Sequence, residues 1–224
     1  MNLKQQAAAR AVSLIKDHDI VGLGAGSTMA YVAAFLKEKT TEGLAVKMVT
    51  SSFTTKQLLV AANLDLLDVQ SCQEIDIYFD GCDLLDHELS ALKSGGGIHT
   101  QEKLLAAMAR QFVLVGDGSK LVKTFDVKYP LVIEILPQAR SFVSFSIERL
   151  FPGIVISLRS SEKKDGPVIT DNGNYLLDLF FGSWPELSGI NPLLKNIPGI
   201  VETSLFYKMA HKAIIASESG VAVL

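Results

Sequence analysis

The sequence predicts an α/β protein: a doubly wound, mostly parallel, Rossmann-like sheet with a smaller ferredoxin-like α+β domain attached. Three observations predict it. Short β-branched runs alternate with helical patterns through the first half of the 224 residues. VGLGAGST (21–28) is a glycine-rich turn leading from one such run into a helix. After Tyr129-Pro130 the order changes to β-α-β-β-α-β, the split βαβ pattern. The division expected is 1–128 plus 205–224 for the larger domain and 129–204 for the smaller.

Taken in order, residues 3–17 place Ala8, Val12 and Ile15 on one helical face. DIVGL (19–23) reads as a buried strand, followed by a helix with Met29, Val32, Ala33 and Leu36 on one side. VKMVT (46–50) is a strand and Ser52 to Ala62 a helix; IDIYF (75–79) is a strand, QEKLLAAMAR (101–110) a helix and FVLVGD (112–117) a strand. In the second half, LVIEI (131–135), a helix over 138–150 and IVISL (154–158) follow one another. Asn172-Gly173 between the apolar runs VIT and YLLDLFF predicts a hairpin, then a helix over 185–196 and a strand at 200–203. SSEKKDGP (160–167) reads as a solvated hairpin tip, Trp184 with Phe180 and Phe181 as core, and KAIIASESGVAVL as two strands returning to the first sheet.

Composition excludes several function classes. A hydrophobic share of 48% against 20% charged residues is a globular balance. A net charge of −3 and the absence of any Lys/Arg run argue against nucleic acid or an anionic membrane as partner. Cys72 and Cys82 cannot build a disulfide framework or a zinc knuckle. The N-terminal stretch reads as neither signal peptide nor anchor, and the expectation is a soluble, cytoplasmic protein.

The chemistry concentrates in DGCDLLDHELSALKSGGGIHTQE (80–102), between a strand and a helix, where open parallel sheets bind ligands. Asp80 and Asp83 are candidates for acid–base work, metal ligation or simple turn capping, and Asp86 extends the series without a His or Glu cluster. Lys93 with Ser94-Gly95-Gly96-Gly97 is either backbone held close to a ligand or a flexible linker. Glu102, with Thr100 as N-cap, is either a general base or an acid favoured by the helix dipole. Gly26, Ser27 and Thr28 suit a phosphate, although VGLGAGST is neither a Walker A loop nor a full G-x-G-x-x-G, and an N-cap serine alone would also explain it. His99, beside the glycines, stands out among four histidines without metal-ligand spacing.

Together and in order, these motifs closely resemble the type A ribose-5-phosphate isomerase family. GAGST is similar to that family's G-T-G-S-T loop, TSSFTTKQL (50–58) to its serine-rich segment, and DGCD to its D-G-A-D. KSGGG resembles its K-G-G-G-G, QEK its R-E-K and GDGSKLV (116–122) its D-x-S-K-x-V. PLVIEILPQARSFV, ITDNGNYLLDL and NIPGIVETSLF extend the resemblance over nearly the whole chain.

The resemblance implies a general base at Glu102, sugar-hydroxyl handling and ring opening at Asp80 with Asp83 beside it, and oxyanion stabilisation by Lys93. It implies substrate binding by Ala25, Gly26, Ser27, Thr28, Gly81, Cys82, Ser94, Gly95 and Gly96, with Lys120 and Lys4 helping to hold the phosphate. It implies neither metal nor organic cofactor, a sugar phosphate as partner, and a homodimer or homotetramer. Four positions depart from the family pattern: Ala25 for threonine, Cys82 for alanine, Leu84 for an acid and Ser94 for glycine, all expected to line the cleft. Competing readings are a non-catalytic phosphosugar sensor, a paralogue acting on another sugar phosphate, and an acyl-transfer enzyme attacking a thioester through Glu102.

Overall fold

In a computed structural model, which describes residues 1–161 and 164–224, the elements follow the expected alternation. α1 (Leu3–Val12) is closed at its N-terminus by a capping box between Asn2 and Gln5 and buries Ala7, Ala8, Ala11 and Val12. It ends five residues before the expected 17, because Asp17 and Asp19 take backbone N–H groups of Ala45 and Lys16 and turn the chain through His18. Then come β1 (Ile20–Leu23), α2 (Ser27–Thr41), β2 (Lys47–Thr50), α3 (Phe53–Ala61) and β3 (Ile75–Asp80).

Where a loop was expected after β3, the chain forms β4 (Leu84–Leu85) and β5 (Ala91–Leu92), a short hairpin that carries Lys93 back to Asp80. Asp86 stabilises its turn by accepting from the N–H groups of Glu88 and Ser90. α4 (His99–Met108) and β6 (Ala109–Asp117) follow. The second half contributes β7 (Leu131–Ile135), α5 (Arg140–Leu150), β8 (Val155–Leu158), β9 (Ser160–Ser161), β10 (Lys164–Pro167), β11 (Tyr175–Phe180), α6 (Leu187–Lys195) and β12 (Ile200–Thr203). β13 (Leu205–Phe206), β14 (Lys212–Ser217) and β15 (Gly220–Val223) complete the order.

The large sheet has the order β15-β14-β6-β3-β1-β2, parallel except for β15. Alternation along its strands feeds two cores. Val21, Leu23, Ile77, Phe79, Val113 and Val115 meet α1, α2 and α3 on one face. Tyr78, Phe112, Leu114 and Ile215 meet Leu105 and Ala106 of α4 on the other.

The second sheet is antiparallel with the order β12-β7-β11-β8, the strand order 4-1-3-2 of a ferredoxin-like unit. Leu131, Ile133 and Ile135 of β7 face α5 and α6, in a core that also holds Phe181 with Trp184 packed against it. The Asn172-Gly173 hairpin is smaller than expected: VIT touches β11 through one bridge, Ile169 to Tyr175, and β11 pairs mainly with β8. Glu162 and Lys163 of the expected hairpin tip lie outside the described residues, while β9 and β10 pair antiparallel on either side of them. Among the described residues, no helix is long and apolar enough to cross a membrane.

Candidate active site

The sheet order itself locates the site. From β1 the chain goes to β2 on one side and, later, to β3 on the other, so the connections leaving β1 and β3 diverge. In open α/β sheets ligands bind in the crevice at such a switch point, beyond the carboxyl ends of the strands. Here that crevice is a cleft of about 370 Å³. Lys4, Ala25 to Thr28, Gly81 to Asp83, Lys93, Gly95, Gly96, Glu102, Val115 to Asp117 and Lys120 line it.

One end of the cleft is built for an anion. Gly24 hydrogen-bonds through its N–H to Phe79 O at 2.8 Å and accepts at its carbonyl from Thr55 Oγ1 at 2.7 Å. A Cβ on Gly24 would collide with the Asp80 carboxylate, so only glycine fits there. The N-cap of α2 is Gly26, with φ of 101°, rather than a serine, and no side chain caps the helix. The first N–H groups of α2 are therefore left to the cleft, with the positive end of the helix dipole behind them. Ser27 opens that helix, its Oγ accepting from Lys4 Nζ at 2.9 Å, and Lys120 lies on the same wall.

The other end holds the titratable groups. Asp80 has no exposed surface and both its oxygens are engaged. Tyr78 OH and Lys93 Nζ reach Oδ2 at 2.6 and 2.9 Å, and the N–H groups of Gly81 and Ala25 reach Oδ1 at 2.7 and 3.3 Å. Lys93 also donates to Gly81 O at 2.6 Å and lies 3.4 Å from Glu102 Oε1. Burial alone would lower the Lys93 pKa, but the Asp80 and Glu102 carboxylates hold it above the ordinary ammonium value. Burial, with the Asp80 charge beside it, pushes Glu102 up to about 8 against the opposing pull of Lys93. A carboxylate so poised takes a proton more readily than an exposed one, which is what a general base near neutral pH requires.

The glycine run is pinned. Gly95 N–H donates to Asp83 Oδ2 at 2.8 Å, Ser94 Oγ to Pro130 O at 2.5 Å, and Arg159 Nη2 to Ser94 O at 2.9 Å. These contacts answer the linker alternative: the segment is held from both sheets. They also correct two expectations. The Ser94 hydroxyl is turned from the cleft toward Pro130, and Leu84 is buried in the core of the second sheet, so of the four departures only Ala25 and Cys82 line the cleft. Burial raises the Cys82 thiol to about 12, so little of it is thiolate near neutral pH.

Thr100 is not the N-cap of α4. That position is Ile98, and Thr100 Oγ1 donates instead to Glu134 of β7, so Glu102 sits fourth in the helix. His99 is buried between α4 and β12, its Nε2 3.3 Å from Glu202 O, and burial lowers it to about 4. Asp80, expected to meet substrate directly, lies beneath the floor of the cleft, whereas Asp83 faces it. Sequence reasoning missed Val115, Gly116 and Asp117, although Asp117 falls in the GDGSK motif. Asp117 accepts from Ser119 Oγ and N–H, which with Lys120 and Lys4 nearby holds its carboxyl below the usual range and shapes the turn that presents Lys120. Among the described residues, no group of three His, Cys, Asp or Glu side chains could hold a metal.

A Rossmann-like sheet with an anion-binding helix terminus facing a Glu–Lys–Asp cluster defines a phosphosugar-type site. The family model of ribose 5-phosphate isomerase A (phosphoriboisomerase A) matches residues 47–220. The chain is 38% identical to ribose-5-phosphate isomerase A of Methanothermobacter thermautotrophicus, covering 100% of this chain and 98% of that one. The solved ribose 5-phosphate isomerase A of Methanocaldococcus jannaschii superposes with a TM-score of 0.92 at 36% identity, over 99% and 97% of the two chains. A D-ribose-5-phosphate isomerase solved in complex with phospho-erythronic acid gives a TM-score of 0.92 at 33% identity, over 100% and 99%. The chain belongs to the ribose 5-phosphate isomerase A family.

Proposed function

We propose that this protein interconverts D-ribose 5-phosphate and D-ribulose 5-phosphate by proton transfer through an enediolate. One observation carries the reading: Glu102, raised to about 8, lies 3.4 Å from Lys93 across the cleft from an uncapped helix N-terminus flanked by Lys4 and Lys120. The phosphate is held at Gly26, Ser27 and Thr28, its charge met by the helix dipole and the two lysines. Asp83, facing the cleft, takes the C1 hydroxyl proton and passes it to the ring oxygen as the bond from C1 to that oxygen breaks and the C1 carbonyl forms.

Glu102 then removes the C2 proton. The C2–H electrons form the C1=C2 bond, and the carbonyl electrons move to O1, where Lys93 stabilises the oxyanion. Glu102 returns its proton to C1, while the O2 proton passes to O1. The net result is one hydrogen moved from C2 to C1 and one from O2 to O1. Asp80 works from below, fixing Lys93 with Oδ2 and the glycine turn with Oδ1. No step uses a metal or an organic cofactor. The relative holding phospho-erythronic acid, a phosphorylated sugar acid, supports a phosphosugar in this cleft.

The test is ribulose 5-phosphate formation from ribose 5-phosphate, with Glu102→Gln run beside the parent. Turnover in the parent that collapses in the variant supports both reaction and base, whereas tight substrate binding without turnover in the parent makes the cleft a sensor or directs it to another sugar phosphate. The same reading carries a division into 1–128 plus 205–224 and 129–204, a cytoplasmic location and a homodimer or homotetramer. Phe142 and Phe145, exposed on α5, support assembly through the smaller unit, which light scattering of the purified protein would test.

A further inference from the structure

We propose that Thr100 and Lys103 are positioning residues that aim Glu102, by fastening α4 to the four-stranded sheet through Glu134 and Glu202. The proposal rests on the reading of Glu102 as the base. Thr100 and Lys103, three residues apart, share one side of α4, and Glu102 projects from another. Thr100 Oγ1 donates to Glu134 of β7, whose carboxylate also receives Thr170 Oγ1 and the amides of Asn172 and Asn174 at 2.8, 2.9 and 2.8 Å. Lys103 Nζ reaches Glu202 Oε1 at 2.9 Å, the Thr203 and Leu205 carbonyls at 2.6 and 2.8 Å, and Thr203 Oγ1 at 3.2 Å. Glu202 is shared with Lys195 of α6. Two saturated polar networks thus grip the helix two residues before the base and one residue after it.

The grip has work to do. Glu102 is buried beside Asp80 and Asp83, with Lys93 as its cationic neighbour, an environment its carboxylate would leave for water if α4 could roll. α4 has no side-chain cap to hold its first turn. Phe206 has the ammoniums of Lys93 and Lys103 at 5.7 and 5.0 Å from its ring centroid, so the catalytic lysine and the fastening lysine share one neighbour. The four-stranded sheet is by this account part of the proton-transfer apparatus, though none of its strands lines the cleft.

The experiment compares Thr100→Val, Thr100→Ser and Lys103→Met with the parent in kcat, KM for ribose 5-phosphate, and the titration of the Glu102 carboxyl followed by carbon-13 NMR. Misplacing a reacting group by about 1 Å costs on the order of 10²-fold in rate. The expectation is a fall in kcat of about tenfold for Thr100→Val and about 10²-fold for Lys103→Met, with KM within about twofold of the parent. Thr100→Ser, which keeps the hydroxyl, restores kcat, and in Thr100→Val the Glu102 titration moves down toward the ordinary carboxylate value. If Lys103→Met does not fold, the Thr100 pair decides. Parental kcat and an unmoved Glu102 titration in folded Thr100→Val overturn the proposal. A parent that turns over no ribose 5-phosphate counts against the isomerase reading, and the carboxyl titration then decides the positioning claim separately.

Discussion

The two sides of α4 treat buried carboxylates in opposite ways. Toward the four-stranded sheet, Glu134 accepts from four neutral donors, and these outweigh burial and hold it below the usual glutamate range. Toward the cleft, Glu102 is as deeply buried but has Lys93 at 3.4 Å and the Asp80 charge nearby, and it rises to about 8. Both are shielded from water, and what separates them is their company: four neutral donors around Glu134, and around Glu102 the Asp80 charge with Lys93 opposing it. A carboxylate ringed by donors is held ionised, and one with few donors and a like charge beside it is left ready to take a proton.

The hardest test of this contrast is removal of the Glu102 carboxylate. Glu102→Gln is expected to lower kcat about 10³-fold with little change in KM, since general-base catalysis contributes roughly 10²–10⁴-fold; steady-state assay checks it. Lys93→Met should follow at about 10²-fold in kcat, the range for loss of a preorganised oxyanion stabiliser. The same assay across pH sharpens the comparison. With the base active only when deprotonated, kcat/KM should rise about tenfold per pH unit below about 8 and level off above it. A profile flat from pH 6 to 9 would remove the raised Glu102 value from the account.

Stability should separate the two glutamates by sign. Glu134→Ala removes the acceptor shared by four donors, of which Asn174 is buried, and should cost about 1–3 kcal/mol, seen as a lower urea midpoint at pH 7. Because the folded Glu134 value lies below the unfolded one, its contribution is present at neutral pH and is lost in acid. Glu102 runs the other way. Its folded value of about 8 exceeds the ordinary 4.5, so the folded protein binds the extra proton and stability falls as pH rises between those values. Glu102→Gln should therefore raise Tm by a few degrees at pH 9 and less at pH 5, at about 2–4 °C per kcal/mol for a chain this size.

Much of this was legible in local sequence. Strand and helix periods gave the large sheet and the succession of elements in the smaller one; residue type and spacing drew attention to Asp80, Asp83, Lys93 and Glu102. What stayed hidden depends on partners distant along the chain. Thr100 is an obvious N-cap from its neighbours, yet its hydroxyl is claimed by Glu134, and helix α4 starts at His99 instead. Ser94 looks like a cleft residue until Pro130 and Arg159 are brought to it. The β4–β5 hairpin has two residues per strand, too short for periodicity to register, and it is what returns Lys93 to Asp80. Asp80 itself is chemically suggestive, and only packing reveals that it lies beneath the cleft.

The pairing of β6 with β14 has a consequence for biosynthesis. Val113 to Asp117 find their outer neighbours at Lys212 to Ala216, with the whole four-stranded sheet encoded in between. At roughly 5–20 residues per second, a ribosome leaves that edge of β6 open for about 5–20 seconds. Through that interval the strand end that lines the cleft presents unpaired N–H and C=O groups. Folding of the nascent chain should be slowest at this seam, where the contacts are most distant along the chain. The cleft is then among the last parts of the molecule to be completed, and an incomplete chain is exposed to edge-to-edge aggregation before it can turn over a substrate.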